Sequence, residues 1–234
     1  MSSRDIILAS VRNNLPQPAV PLPENIEIDP KGTGLGPGYK QHLTNLPEVQ
    51  RLSHVGEPIL DYFRRQLEAM GGRSFEVADA TAAQAKVAEL FPTAKVICST
   101  VPEVPGTKNI EAANDPHDLN DVDVGVVRSR IGVAEAGAVW LTEADLVVNA
   151  LGVLSQHLVV LLDPTAIVET MHDAYGQIDL TASSYGVFMA GPSATGDIEG
   201  VIIHGAQGAR SMTVLLLAQS ASMVETNQSV GEAF

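Results

Sequence analysis

"HLVVLLDPTAIVETMHDAYG", residues 157–176, decides the fold. From Leu158 to Leu162 every residue is apolar. A strand with one wet face alternates apolar and polar side chains. A run that does not alternate belongs to a strand buried on both faces, as in a parallel sheet with helices on either side. Pro164 follows almost at once. Its fixed φ and missing N–H suit the first position of a helix, so 164–176 reads as the crossover helix after that strand.

The same pattern extends outward. "SFEVA" (74–78), "KVICST" (95–100), "DVGVVRSRIGV" (123–133), "GAVWLTE" (137–143), "LVVNA" (146–150), "YGVFMAG" (185–191) and "MTVLLLA" (212–218) read as strands. "TAAQAKVAELF" (81–91) reads as a helix opened by Asp79 or Thr81. Upstream, Val49, Leu52, Ile59, Leu60, Phe63 and Leu67 keep helical spacing, with Pro58 dividing the run and Gly71–Gly72 ending it. Strands interleaved with helices predict an α/β fold on a mostly parallel sheet flanked by helices. Ahead of it, residues 1–15 predict a short capped helix, and the Pro/Gly-rich stretch that follows predicts an irregular arm. The expected division is 1–46 as N-terminal helix and arm, 47–220 as the α/β domain, and 221–234 as a polar tail.

Composition narrows the function. The chain has 234 residues, of which 14 are basic and 28 acidic, for a formal net charge of −14. Such a surface repels nucleic-acid phosphates and anionic membranes. No apolar run approaches the roughly 20 residues of a spanning helix, and the N-terminus lacks a signal-peptide pattern. A cytoplasmic protein without membrane insertion is therefore expected. The single cysteine, Cys98, lies in an apolar run and reads as a small buried hydrophobe. One thiol can form neither an internal disulfide nor a multi-cysteine iron–sulfur cluster. The six histidines show no metal-ligand spacing, so no metal site is expected, and neither a Walker A loop nor a G-x-S-x-G elbow occurs.

Three stretches can carry chemistry. In "VAEAGAVWL" (133–141) Glu135 stands among small residues. Partial desolvation there would raise its pKa, as a general acid or nucleophile requires; a surface turn glutamate is the other reading. "GPSATGDIEGVIIHGAQGAR" (191–210) follows a strand and reads as a turn into a short helix starting near Thr195. Asp197 and Glu199 would then sit at the helix's positive end. The segment is either a well-capped joint or a ligand site at a strand's carboxyl end, where Ser193 and Thr195 supply hydroxyls. Arg128 and Arg130 alternate, which on a strand points both to one face. They either grip an anion or pair with surface carboxylates.

Two of these stretches together resemble a known family. "IGVAEAGAVWL" (131–141) and "GPSATGDIEGVIIHGAQGARSMTVLLL" (191–217) look like the two signature blocks of the LutC-like, LUD-domain lactate-utilization family, with "SQHLVVLLDPTAIVETM" fitting the strand and helix between them. The resemblance implies a NagB/RpiA/CoA-transferase-like sheet. It also implies a role in oxidising L-lactate to pyruvate beside iron–sulfur partner proteins, with this chain as the member that holds no cluster and no intrinsic cofactor. Matched positions imply Glu135 as a catalytic candidate, and Gly137, Ser193, Thr195, Asp197, Glu199, Gln207 and Arg210 as ligand contacts. Gln207 stands where the family often has histidine, and an amide cannot serve as general base. The competing expectation is a CoA-transferase-like enzyme, or a protein that binds a small carboxylate or other anion, using Glu135.

Overall fold

The computed structural model describes residues 4, 10, 56–113, 115–198 and 201–218. The chain divides into two units, Met1–Val49 and Gln50–Phe234. In the first, Arg4 and Ser10 are helical; the rest of the expected N-terminal helix and arm, the helical run before Pro58, Glu199 and the tail lie outside the described residues. In the second, the elements run α1 (Ile59–Ala69), β1 (Arg73–Glu76), α2 (Ala80–Leu90), β2 (Ile97–Ser99), β3 (Val124–Ser129), β4 (Ile131–Val133), β5 (Ala138–Thr142), α3 (Glu143–Leu146), α4 (Leu151–Leu154), β6 (His157–Leu162), β7 (Ile167–Val168), α5 (Met171–Gln177), β8 (Gly186–Met189), β9 (Ala194–Ile198), β10 (Val201–His204) and β11 (Ser211–Leu216).

Five of these strands form a wholly parallel sheet in the order β1-β11-β6-β3-β2. β6 occupies its centre, and each residue from Leu158 to Leu162 is 0% exposed. Leu158, Val160 and Leu162 point into one core, while Val159 and Leu161 point into another. The first core is closed by Tyr62, Phe63 and Leu67 of α1 and by Val139 and Leu141 of β5. The second is closed by Ala83 and Val87 of α2. Both faces are dry, which is why the sequence of β6 does not alternate. The expected α/β architecture, a parallel sheet flanked by helices, is what the chain forms. α2 begins where Asp79 accepts the Ala82 N–H at 2.8 Å. α1 starts directly after Pro58 and stops at Gly71, whose φ of +82° glycine adopts without strain.

A second, four-stranded sheet, β7-β4-β5-β8, was not foreseen. It is antiparallel except where β7 joins β4. Its far side packs Ile131 and Val133 against Ala174 of α5, with the Trp140 and Phe188 rings tilted against each other at 4.6 Å. "DVGVVRSRIGV" is therefore two strands in two sheets: β3 ends at Ser129 and β4 starts at Ile131. "YGVFMAG" supplies β8 of this second sheet rather than a parallel strand.

Two further expectations are corrected. Residues 164–176 are not one helix. Pro164–Ala166 is a single 3-10 turn, the β-branched pair Ile167–Val168 joins β4, and the helix starts only at Met171. Its start is fixed by a capping box, in which Asp173 N–H donates to Thr170 Oγ1 at 3.2 Å and Thr170 N–H donates to Asp173 Oδ2 at 3.1 Å. "LVVNA" is no strand either. Asp145 Oδ2 accepts the Thr142 N–H at 2.9 Å, the segment winds into α3, and Val147 leaves it at φ +61°.

Burial on both faces makes β6 intolerant of truncation. Leu161→Ala is expected to cost about 2–5 kcal/mol in urea unfolding. Ile202→Thr, at a position 67% exposed, should change stability by no more than about 0.5 kcal/mol.

Candidate functional site

Both signature stretches converge on the C-terminal turn of α1. Gln66 Nε2 donates to the Glu135 carbonyl at 2.9 Å. Gly137 turns with φ +57°, and a Cβ built there would strike the Leu67 backbone nitrogen. Gly191, with φ +69°, lies so close to the Met70 carbonyl that a Cβ would strike it too. Pro192 and His204 flank Gly71, each 3.4 Å from where its Cβ would be. Gly137 thus serves a backbone approach between a turn and a helix, which only glycine permits.

Glu135 occupies the β4–β5 turn and is half-buried. Its Oε1 accepts the Met171 N–H at 2.6 Å, and its own N–H donates to the Glu169 carbonyl at 3.0 Å. A carboxylate receiving the first amide of α5 joins the second sheet to that helix. This geometry matches the turn-glutamate reading.

The segment 191–210 does not form the expected helix. Thr195 and Asp197 lie on β9, which pairs antiparallel with β10 as a hairpin. The β-branched residues Ile198, Val201, Ile202 and Ile203 favour extended backbone, and Gly196 and Gly200 weaken any helix through them. Thr195 faces Ile203 across the hairpin. Ser193 stitches the flanking turns: its N–H donates to the Ala209 carbonyl at 2.9 Å, and its carbonyl accepts the Gly205 N–H at 2.8 Å. Gly208 packs beside it, 2.9 Å from the Ser193 Cβ when given a Cβ of its own. Gln207 is exposed in the second turn.

The arginine pair divides as the chain crosses between sheets. Arg128 Nη2 meets Glu103 Oε1 at 2.5 Å with both side chains largely buried, whereas exposed Arg130 meets Asp145 at 3.3 Å. The two side chains therefore do not share a strand face, and ion pairing is their role.

Arg210 stands apart from the other sequence candidates. It lines a cleft of about 500 Å³ with Arg73, Phe91, Asn120, Gln156 and His157. The cleft lies at the amino edge of the parallel sheet, because Arg73 and His157 open β1 and β6, and Arg210 immediately precedes β11. A site outside the carboxyl ends was expected; the polar cleft is at the opposite edge. Arg210 N–H donates to the Gln156 carbonyl at 2.8 Å, and Arg73 Nε donates to Thr213 Oγ1 at 3.1 Å. The imidazole of His157 stacks on Phe91 at 4.7 Å, with Nδ1 2.8 Å from Ser211 Oγ. Burial lowers the His157 pKa below its ordinary 6.5, and the positive charges of Arg73 and Arg210 push it the same way against Asp123. Asp123 is held below the usual carboxylate range by the amides of Val96 and Lys95. Among the described residues, no cluster of His, Cys, Asp and Glu is arranged to hold a metal ion.

Sequence reading passed over Arg73 and placed His157 at the opening of a buried strand without a role. A signal was present: Arg73 and His157 open their strands, and Arg210 stands directly before one. In an all-parallel sheet the residues that open the strands lie along one edge.

Two predictions follow from this geometry. Gly137→Ala should lose about 2–4 kcal/mol on chemical unfolding, from backbone strain and the collision with α1. The depressed His157 pKa means that the unfolded chain takes up that proton at higher pH than the folded chain does. The contribution of His157 to stability is full above about pH 6.5 and falls as pH drops through the lower folded-state value. Melting temperatures measured from about pH 7.5 to about pH 5 should show that slope, and His157→Gln should flatten it.

Comparison with known proteins agrees with this architecture. Residues 105–217 match the profile of the LUD domain. The crystal structure of a DUF162 family protein from Deinococcus radiodurans superposes with a TM-score of 0.56 at 16% identity, covering 68% of this chain and 96% of that one, a likeness of fold alone. No curated protein matches the chain.

Proposed function

We propose, from the premise that this chain is a member of the LUD-domain family, that it is the cluster-free component of a system oxidising L-lactate to pyruvate. That reaction removes two electrons and two protons from the carbinol, and the electrons need an acceptor. The observation that carries the reading is the thiol inventory. Cys98 is the single cysteine, and it is 0% exposed in the core beside β3. Burial pushes its thiol pKa up, away from the thiolate that ligates metal. Electron transfer through a multi-cysteine iron–sulfur cluster therefore falls to partner proteins. No helix among the described residues is long and apolar enough to cross a membrane.

Glu135 as an acyl-accepting nucleophile has less support, since its Oε1 is engaged by the Met171 amide that fixes α5. Its role in this reading is to position the turn between β4 and β5.

Deleting the gene should abolish growth on L-lactate while leaving growth on pyruvate intact. Cys98→Ala supplied in its place should restore growth, and the tagged chain should carry iron only when it is purified together with its partners. Unimpaired growth of the deletion strain on L-lactate would overturn the proposal.

A further inference from the structure

The arginines of the described α/β unit fall into two groups. Arg64, Arg65, Arg128 and Arg130 each hold a carboxylate. Arg73 and Arg210 hold none among the described residues, and both line the same cleft. In a chain with 28 acidic residues against 14 basic ones, carboxylates are in excess. Two arginines that line one cleft without a carboxylate partner among the described residues are therefore not explained by a shortage of partners.

Asp121 and Asp123 also line the cleft, but their carboxylates are turned to other tasks. Asp121 meets Lys108 Nζ at 2.5 Å. Asp123 Oδ2 accepts the N–H groups of Lys95 and Val96 at 2.7 and 2.9 Å. The Arg73 side chain is held in place, and Arg210 is held at its backbone. Arg73 is fixed by Thr213 through Nε and lies over the Phe91 ring, 6.0 Å from its centroid. Arg210 is anchored through its backbone to Gln156. His157 lines the cleft with them, and its proton affinity is lowered first by burial and then by both guanidinium charges. Two guanidinium groups in a concave surface, with no carboxylate partner among the described residues, attract anions. Guanidinium groups recognise carboxylate and phosphate oxygens through paired N–H donors. The volume, about 500 Å³, lies within the range of small-molecule sites, about 300–1,000 Å³.

We propose that the cleft at the amino edge of the parallel sheet binds a small organic oxyanion, gripped by Arg73 and Arg210 beside the Phe91–His157 stack. The ligand carries at least two anionic oxygens, as a polycarboxylate or a phosphate ester does. This site is separate from the turn that holds Glu135 and does not depend on the lactate reading.

The test is calorimetric titration of the full-length protein with inorganic phosphate and with citrate, using sodium chloride at matched ionic strength as the control. Saturable one-site binding of phosphate or citrate is expected, and the tighter of the two identifies the phosphate-ester or polycarboxylate source. Arg73→Gln and Arg210→Gln should each weaken binding at least about tenfold, and the double variant should abolish it. A second readout needs no variant. The groups facing His157 are Arg73, Arg210, Asp123, Ser211 and Phe91, so an anion seated between the arginines offsets their charge. The His157 pKa, followed by NMR, should rise at saturating ligand. Failure of both probes to bind above the chloride control, undiminished binding in a folded double variant, or a His157 titration unmoved by saturating ligand would each overturn the proposal. Growth on lactate tests the other reading alone, so the two can fail separately.

Discussion

The structure depends on the burial of β6 on both faces. Five consecutive side chains at 0% exposure must find cover above and below, and no single layer supplies it. α2 closes one side; α1 and β5 close the other. Once β6 is central, its neighbours β3 and β11 pair with it in parallel, and their connections must return across the faces. Two of those connections carry the strands of the second sheet.

That arrangement also gives α1 its second task. One face of it fills the core through Tyr62, Phe63 and Leu67. Its last turn is the surface on which Glu135, Gly137, Gly191 and Pro192 are assembled. Glycine at 137 and 191 lets two separate turns approach one helix at backbone distance. The stretches that carry the family resemblance thus share a structural function: they lock the second sheet and the hairpin against α1. Ser193 extends the lock to the start of β11 through Ala209.

The strand alternation and the parallel sheet were readable because hydrophobic pattern reports burial directly. β6, β11 and α2 were legible in this way, as was the stop at Gly71–Gly72. The second sheet was not: β5 and β8 read as strands, but which sheet a strand joins depends on distant partners, and β7 is a single Ile-Val pair next to a proline turn. The site was legible only in pieces. Arg210 was singled out, but its partners Arg73 and His157 lie far away in sequence and meet it only because all three stand near the openings of parallel strands. The hairpin at 194–204 was misread because helix-start residues were weighed above a β-branched run.

By itself the sequence determined the α/β class, the double-faced burial of "LVVLL", the excess of acidic charge and the lack of thiols for a cluster. These follow from composition and periodicity, which are properties of a segment alone. Tertiary structure decided which edge of the sheet gathers polar groups, which arginines find carboxylates, and that Glu135 caps a helix. Those outcomes depend on strand order and register, and register is set by the packing of β6 between two cores rather than by any residue near the cleft.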